Sequence, residues 1–189
     1  DPLEVVERPN GGLSVVLADG QSSGRGAKAV SMMVVRKVIG LLAEGVRDGA
    51  AARAASDALY TDRQGRVSCT LNIASVDLAT NTIVLTRNNP CSFAICRNGQ
   101  VDCISTESAP LGTARDTRPV ISETSIEPGL IIVIHTDGLE HAGKRRGQPM
   151  EVCTVIQSML DEQDPSPQSI ADELLAHAGS LDEGRPADD

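Results

Sequence analysis

Aromatic side chains are almost missing from these 189 residues: there is no Trp, one Tyr (Tyr60) and one Phe (Phe93). Stacking platforms for bases or sugars are thereby excluded, and the core is left to Val, Ile, Leu and Ala within a hydrophobic fraction of 40%. Positive charge is also scarce. A formal net charge of −9 and an isoelectric point near 4.8 argue against a nucleic-acid partner, and the local basic cluster Lys144-Arg145-Arg146 reads as a solvated loop. No apolar run approaches the roughly 18 residues of a membrane-spanning helix, so no membrane association is expected. The five cysteines, Cys69, Cys91, Cys96, Cys103 and Cys153, are odd in number and have no C-x-x-C spacing. Neither a disulfide framework nor a zinc site is signalled, and they are expected to be small buried residues in a reducing cytoplasm.

What the chain does contain is an ordered succession of periodic segments, and at this length one domain spanning 1–189 is expected. A short strand, Leu3 to Glu7, and the turn signal Pro9-Asn10-Gly11-Gly12 lead into a strand ending at Asp19. Apolar residues at helical spacing, Val30, Met33, Val34, Val38, Leu41 and Leu42, predict a helix from Ala27 to about Glu44, and an Ala-rich helix follows from about Asp48 to Tyr60. Ser68–Leu78, Thr82–Arg87, Ser92–Arg97 and Val101–Ile104 read as strands, with a meander as the simplest topology. Val120–Ile126 and Leu130–Thr136 are expected to pair across Glu127-Pro128-Gly129, and helices are predicted from Pro149 to Leu160 and from Pro167 to His177. Helices in two blocks around strands indicate an α+β fold with packed antiparallel sheets.

Two apolar runs, Leu13 to Ala18 and Leu130 to Thr136, both exit into Asp-Gly, at Asp19-Gly20 and Asp137-Gly138. Either dipeptide alone reads as a turn. Two at the ends of core strands put carboxylates where a rigid sheet can hold them on a hard cation. Other chemistries fit less well. Gly24-Arg25-Gly26-Ala27-Lys28-Ala29 matches a dinucleotide fingerprint formally, but its first Gly lies five residues past Asp19 and two helices precede the next strand. A P-loop fails because Gly26 stands where Lys is required. An aspartyl-phosphate mechanism lacks the second Asp two residues on, at both exits. Dispersed carboxylates remain, at Asp1, Asp19, Asp137 and Asp188, and like charges converge only around cations.

The segment Val15 to Ala29, the segment Ile132 to Glu140, Ser108-Ala109-Pro110-Leu111-Gly112 and the terminal Pro186-Ala187-Asp188-Asp189 together resemble the metal-dependent protein phosphatase (PPM) family. The resemblance is to its bacterial branch, the stage II sporulation E type and its stressosome feedback relatives, and it covers essentially the whole chain in order. It implies a four-layer αββα sandwich, two antiparallel β-sheets flanked by helices, with two Mn²⁺ or Mg²⁺ ions at one end. Asp19 would bridge both ions and Gly20 would offer its carbonyl oxygen. Asp137 and Asp188 would complete one ion's shell, and Asp1 would act near the other. Arg25 is the candidate phosphate clamp. Gln21 stands where many members have His, so a His general acid is absent there and the proton donor falls to a metal-held water. The chain also starts at the first acidic motif and stops at the last, where the family normally adds a flanking strand at each end.

The resemblance therefore implies a phosphoserine/phosphothreonine protein phosphatase acting on a phosphorylated STAS-domain protein, either an anti-sigma-factor antagonist or a stressosome regulator. The alternative is a catalytically silent interaction module of the same fold that binds the same regulators.

Overall fold

The elements of the computed structural model, which describes residues 1–184, run in chain order β1 (Leu3–Glu7), β2 (Leu13–Gly20), α1 (Arg25–Ala43), α2 (Asp48–Arg63), β3 (Cys69–Asp77), β4 (Thr82–Asn88), β5 (Phe93–Arg97), β6 (Gln100–Ile104), β7 (Val120–Ser125), β8 (Ile131–Val133), α3 (Asp137–His141), a 3₁₀ turn (Lys144–Arg146), α4 (Val152–Glu162) and α5 (Pro167–Leu181). They fall into two units: Asp1–Pro90 with Thr106–Ile126, and Cys91–Ser105 with the chain from Glu127 onward. Among the described residues every strand pairing is antiparallel and the helices come in two blocks separated by strands, which is the expected α+β class.

The first unit is a five-stranded sheet in the order β1-β2-β3-β4-β7 with α1 and α2 on one face. Alternation along the paired strands places Val16, Ala18, Leu71 and Ile73 on that face. They pack against Val30, Val34, Val35, Val38 and Leu42 of α1 and Ala51, Ala52, Ala55 and Leu59 of α2. Each fully buried Val or Leu contributes roughly 1.5–3 kcal/mol, so a core without aromatic rings is stabilised by many small contributions. The Ala stripe of α2 supplies little area but permits close helix approach. At the β1–β2 turn, Gly12 has φ +83-type neighbours in Gly11 and is itself at φ +87, and its backbone passes so close to Val76 that a side chain would not fit.

The second unit holds the three-stranded sheet β6-β5-β8 with α3, α4 and α5. Its core joins Ala94 and Cys96 to Ala142, Met150, Val152, Ile156, Met159, Ile170 and Leu174. Helix α5 starts with Pro167 after Ser166, whose hydroxyl oxygen accepts from the Ser169 N–H at 3.1 Å. Arg146 of the 3₁₀ turn pairs with Glu183, and the basic cluster is solvent-exposed.

Expectations about strand pairing, strand length and the cysteines need correction. Val120–Ile126 and Leu130–Thr136 do not pair with each other: β7 adds to β4 and β8 to β5, so the Glu127–Leu130 turn passes the chain between sheets. The meander breaks for the same reason, because β4 and β5 lie in different sheets. Periodicity identifies a strand, while its partner is a long-range choice. The strand at Leu130–Thr136 is also shorter than expected, running only from Ile131 to Val133, and just before β5 the Ser92 N–H donates to Glu140 Oε1 at 3.0 Å.

The cysteines are the third correction. Cys103 of β6 and Cys153 of α4 form a disulfide across 50 residues of sequence, while Cys69, Cys91 and Cys96 are buried and not disulfide-bonded. Pairing in space needs no local motif, which is why spacing did not reveal it. A loop of this length closed covalently contributes up to about 4 kcal/mol. Reduction, or the double substitution Cys103→Ser/Cys153→Ser, is expected to lower the unfolding free energy from urea denaturation by an amount of that order, measured by circular dichroism with and without reductant.

Candidate metal centre

Asp19 is the penultimate residue of β2, opposite Thr70, and Gly20 pairs with Cys69. Gly20 shares the helix-covered face of the sheet, whereas Asp19 shares the other face with Leu17, Asn72 and Arg87. The chain start runs alongside: Leu3 pairs with Leu17 and the Ala18 N–H donates to the Pro2 carbonyl at 3.2 Å, which brings Asp1 to the same sheet end as Asp19. A Cβ added to Gly20 would lie 2.4 Å from the Ala27 carbonyl oxygen, so only glycine lets the strand pass this close to the first turn of α1.

That strand end is braced from behind. Cys69 exchanges backbone hydrogen bonds of 3.1 and 2.8 Å with Leu111, and the Gly112 N–H donates to Ser56 Oγ at 3.1 Å. Ser108 Oγ donates to the Arg87 carbonyl at 2.9 Å and Asn88 Nδ2 to the Ala109 carbonyl at 2.9 Å. The Ser108-to-Gly112 segment is therefore a buttress between β3, β4 and α2. Burial, reinforced by the Asp19 charge and partly offset by a hydrogen bond with the Asp19 backbone, pushes the Cys69 thiol up to about 12. The thiol beside Asp19 stays protonated at neutral pH and is no nucleophile.

After Gly20 the loop is pinned through Gln21, whose N–H donates to the Ser68 carbonyl at 2.9 Å and whose Oε1 accepts from the Ser68 N–H and Oγ at 3.2 and 3.0 Å. Arg25 opens α1 and is exposed. Gly24 caps that helix with no side-chain hydrogen bond, and no acidic residue occupies the first turn. The positive end of the helix dipole, with Arg25 and Lys28, favours an anion there.

Asp137 stands apart from the expectation of a strand-end carboxylate. It is the first residue of α3, following an extended Thr136, and its Oδ2 lies 3.7 Å from His141 Nδ1 one turn along. Asp1, Asp19, Gly20 and Arg25 belong to the first unit and Asp137 to the second. Asp188 lies outside the described residues. The donor set, carboxylates with one backbone carbonyl, is the all-oxygen type that suits hard divalent cations. By the chemistry of their donor atoms these residues fit such ions.

A second cluster was not foreseen. Cys91, His135 and Glu140 offer Sγ, a ring nitrogen and a carboxylate oxygen within 4.8 Å of one another. Only the short spacing of His135 and Glu140 was visible in the sequence, and Cys91 joins them through the β5–β8 pairing.

The chain belongs to the stage II sporulation protein E (SpoIIE) family, whose profile matches residues 9–189. Its fold is similar to that of the PP2C phosphatase domain of SpoIIE from Bacillus subtilis, solved with a fragment of the regulatory domain (TM-score 0.80, 17% identity, 99% of this chain and 56% of that one). It is also similar to the serine/threonine phosphatase of S. agalactiae (TM-score 0.75, 15% identity, 95% and 86% covered). A third likeness is to the RsbU and RsbW domains of a Mycobacterium tuberculosis protein (TM-score 0.73, 17% identity, 97% and 51% covered). A comparison with curated protein sequences gives no match. The two antiparallel sheets and five helices thus form a PP2C-like α+β fold, and the SpoIIE and PP2C proteins matched are serine/threonine protein phosphatases. The chain spans about half the length of the B. subtilis chain it matches.

Replacing Gly20 by Ala forces the new methyl against the Ala27 carbonyl. The expected cost is about 1–3 kcal/mol of stability, in the range for overpacking a filled site. Chemical denaturation of Gly20→Ala beside Gly26→Ala, where an added Cβ meets nothing within 4 Å, checks it.

Proposed function

We propose that residues 1–189 form a single phosphatase domain that hydrolyses phosphoserine or phosphothreonine on a STAS-domain regulator, an anti-sigma-factor antagonist or stressosome protein, in a cytoplasmic stress-response pathway. The observation that carries this reading is the Asp19-Gly20 corner: a carboxylate at a braced strand end, beside a glycine packed on the next helix, in a chain of the SpoIIE family. The neighbour in which RsbU and RsbW domains occur in one protein supports a regulatory partner. A net charge of −9 disfavours nucleic acid, and no helix among the described residues is long and apolar enough to cross a membrane.

In this reading Asp19, the Gly20 carbonyl, Asp137, Asp188 and Asp1 hold two divalent cations, Mn²⁺ or Mg²⁺. When bound, the cations supply an activated water and neutralise charge on the phosphoryl group. Asp19 would hold the cations from a position fixed by the β2–β3 ladder. Arg25 and the open N-terminus of α1 orient the phosphoryl oxygens. Gln21 carries no titratable proton and its amide is engaged with Ser68, so it positions the loop and takes no part as an acid.

Asp19→Ala is expected to lower kcat/KM by a factor on the order of 10³ and to abolish paired cation binding. Asp137→Ala should remove one cation with the fold intact. Rates are measured on a phosphorylated STAS-domain protein beside an unrelated phosphopeptide, with calorimetry for the cations. Near-normal rates in both variants would reduce the Asp-Gly exits to turns, and equal rates on both substrates would remove the STAS-domain assignment.

A further inference from the structure

Three side chains with no part in the oxygen-donor set converge inside the second unit. Cys91 and His135 are buried at 3% and 6% exposure, and Glu140 is half-buried. The backbone explains why they meet. In the β5–β8 pairing Ala94 lies opposite Val133, so the chain just before β5 runs beside the chain just after β8. Helix α3 then turns Glu140 back over Ser92, whose N–H and Oγ both donate to Glu140 Oε1, at 3.0 and 3.3 Å. The carboxylate is thereby fixed in orientation.

The histidine is fixed as well. His135 Nδ1 lies 2.9 Å from the carbonyl oxygen of Thr136. A carbonyl oxygen only accepts, so Nδ1 carries the hydrogen and the lone pair of the neutral ring is on Nε2. A backbone carbonyl accepting from one ring nitrogen while the other faces the ligand side is the usual support of a metal-binding histidine. A Cys-His-Glu nucleophile arrangement is the competing use of these groups. It would need the carboxylate on the Nδ1 hydrogen, which the Thr136 carbonyl takes, and a thiol that substrate can reach, which Cys91 is not.

We propose that Cys91, His135 and Glu140 form a binding site for a thiophilic divalent transition metal of the Zn²⁺ class, chemically separate from the all-oxygen set built on Asp19. Sulfur, imidazole nitrogen and one carboxylate oxygen are the ligand types of such ions, and three protein ligands leave a fourth position for water. On binding, the Cys91 thiol ionises, its proton passes to solvent, and the sulfur lone pair forms the metal bond. The thiolate and the carboxylate then balance the ion's two positive charges. The occupied site ties the start of β5 to the β8–α3 corner, the same corner that carries Asp137. It stands whether or not the chain is a phosphatase.

Co²⁺ reports on this site because thiolate ligation produces a sulfur-to-cobalt charge-transfer absorption that oxygen ligands cannot give. The full chain, stripped with chelator, is titrated with Co²⁺ as wild type, Asp19→Ala, Cys91→Ser and His135→Gln, with circular dichroism to establish folding. The expected result is a thiolate band in wild type that saturates at one equivalent and is bleached by Zn²⁺. The band is retained in Asp19→Ala, absent in Cys91→Ser, and formed with affinity at least tenfold weaker in His135→Gln. Absence of the band in wild type overturns the proposal, whatever the variants do. A band unchanged in folded Cys91→Ser overturns it equally, since the sulfur would then belong to another cysteine, and a band of unchanged affinity in folded His135→Gln overturns it because the imidazole would then be no ligand.

Discussion

A hydrogen atom where other residues carry a Cβ lets β2 run directly under the first turn of α1, because a methyl at Gly20 would sit 2.4 Å from the Ala27 carbonyl oxygen. The consequences spread along both elements. The close passage sets where α1 begins, and from there the spacing of Val30, Val34, Val38 and Leu42 lays its apolar stripe on Val16, Ala18, Leu71 and Ile73. Asp19 sits at the same strand end, held in the ladder to β3 opposite Thr70. A metal-ligating carboxylate must be held against the repulsion of its neighbours, and a ladder residue holds it better than a loop residue does.

A core nearly free of aromatic rings makes this geometry possible. Ala51, Ala52 and Ala55 let α2 approach closely enough for Ser56 to reach the Gly112 N–H, so the helix layer and the Ser108-to-Gly112 segment support one corner together. Small aliphatic side chains also limit what each burial contributes, and the disulfide between β6 and α4 offsets part of that deficit in the second unit. The chain separates its donors by chemistry. Asp19 offers a carboxylate oxygen of the kind a hard cation takes, while sulfur, nitrogen and one carboxylate oxygen meet at Cys91, His135 and Glu140.

Much of this was legible in the sequence. Helix α1 starts two residues before its expected position and α2 ends three residues after it, because hydrophobic spacing and Ala content are local signals. The Asp19-Gly20 exit was legible for the same reason. The pairings of β7 and β8 were not, since Pro128-Gly129 marks a turn without saying whether it closes a hairpin. The exit at Asp137 was expected directly after a strand ending at Thr136, but β8 ends at Val133 and Asp137 opens α3, a boundary no periodicity records. Cys103–Cys153 and the Cys91 cluster were hidden by sequence distance alone.

The measurement that bears most directly on the phosphatase account is the release of inorganic phosphate from an aryl phosphate by the purified chain, with Mn²⁺ or Mg²⁺ present, after exhaustive chelation, and after either cation is restored. The account predicts turnover that disappears with the cations and returns with them. Turnover that survives chelation, or no turnover with either cation in excess, would contradict it.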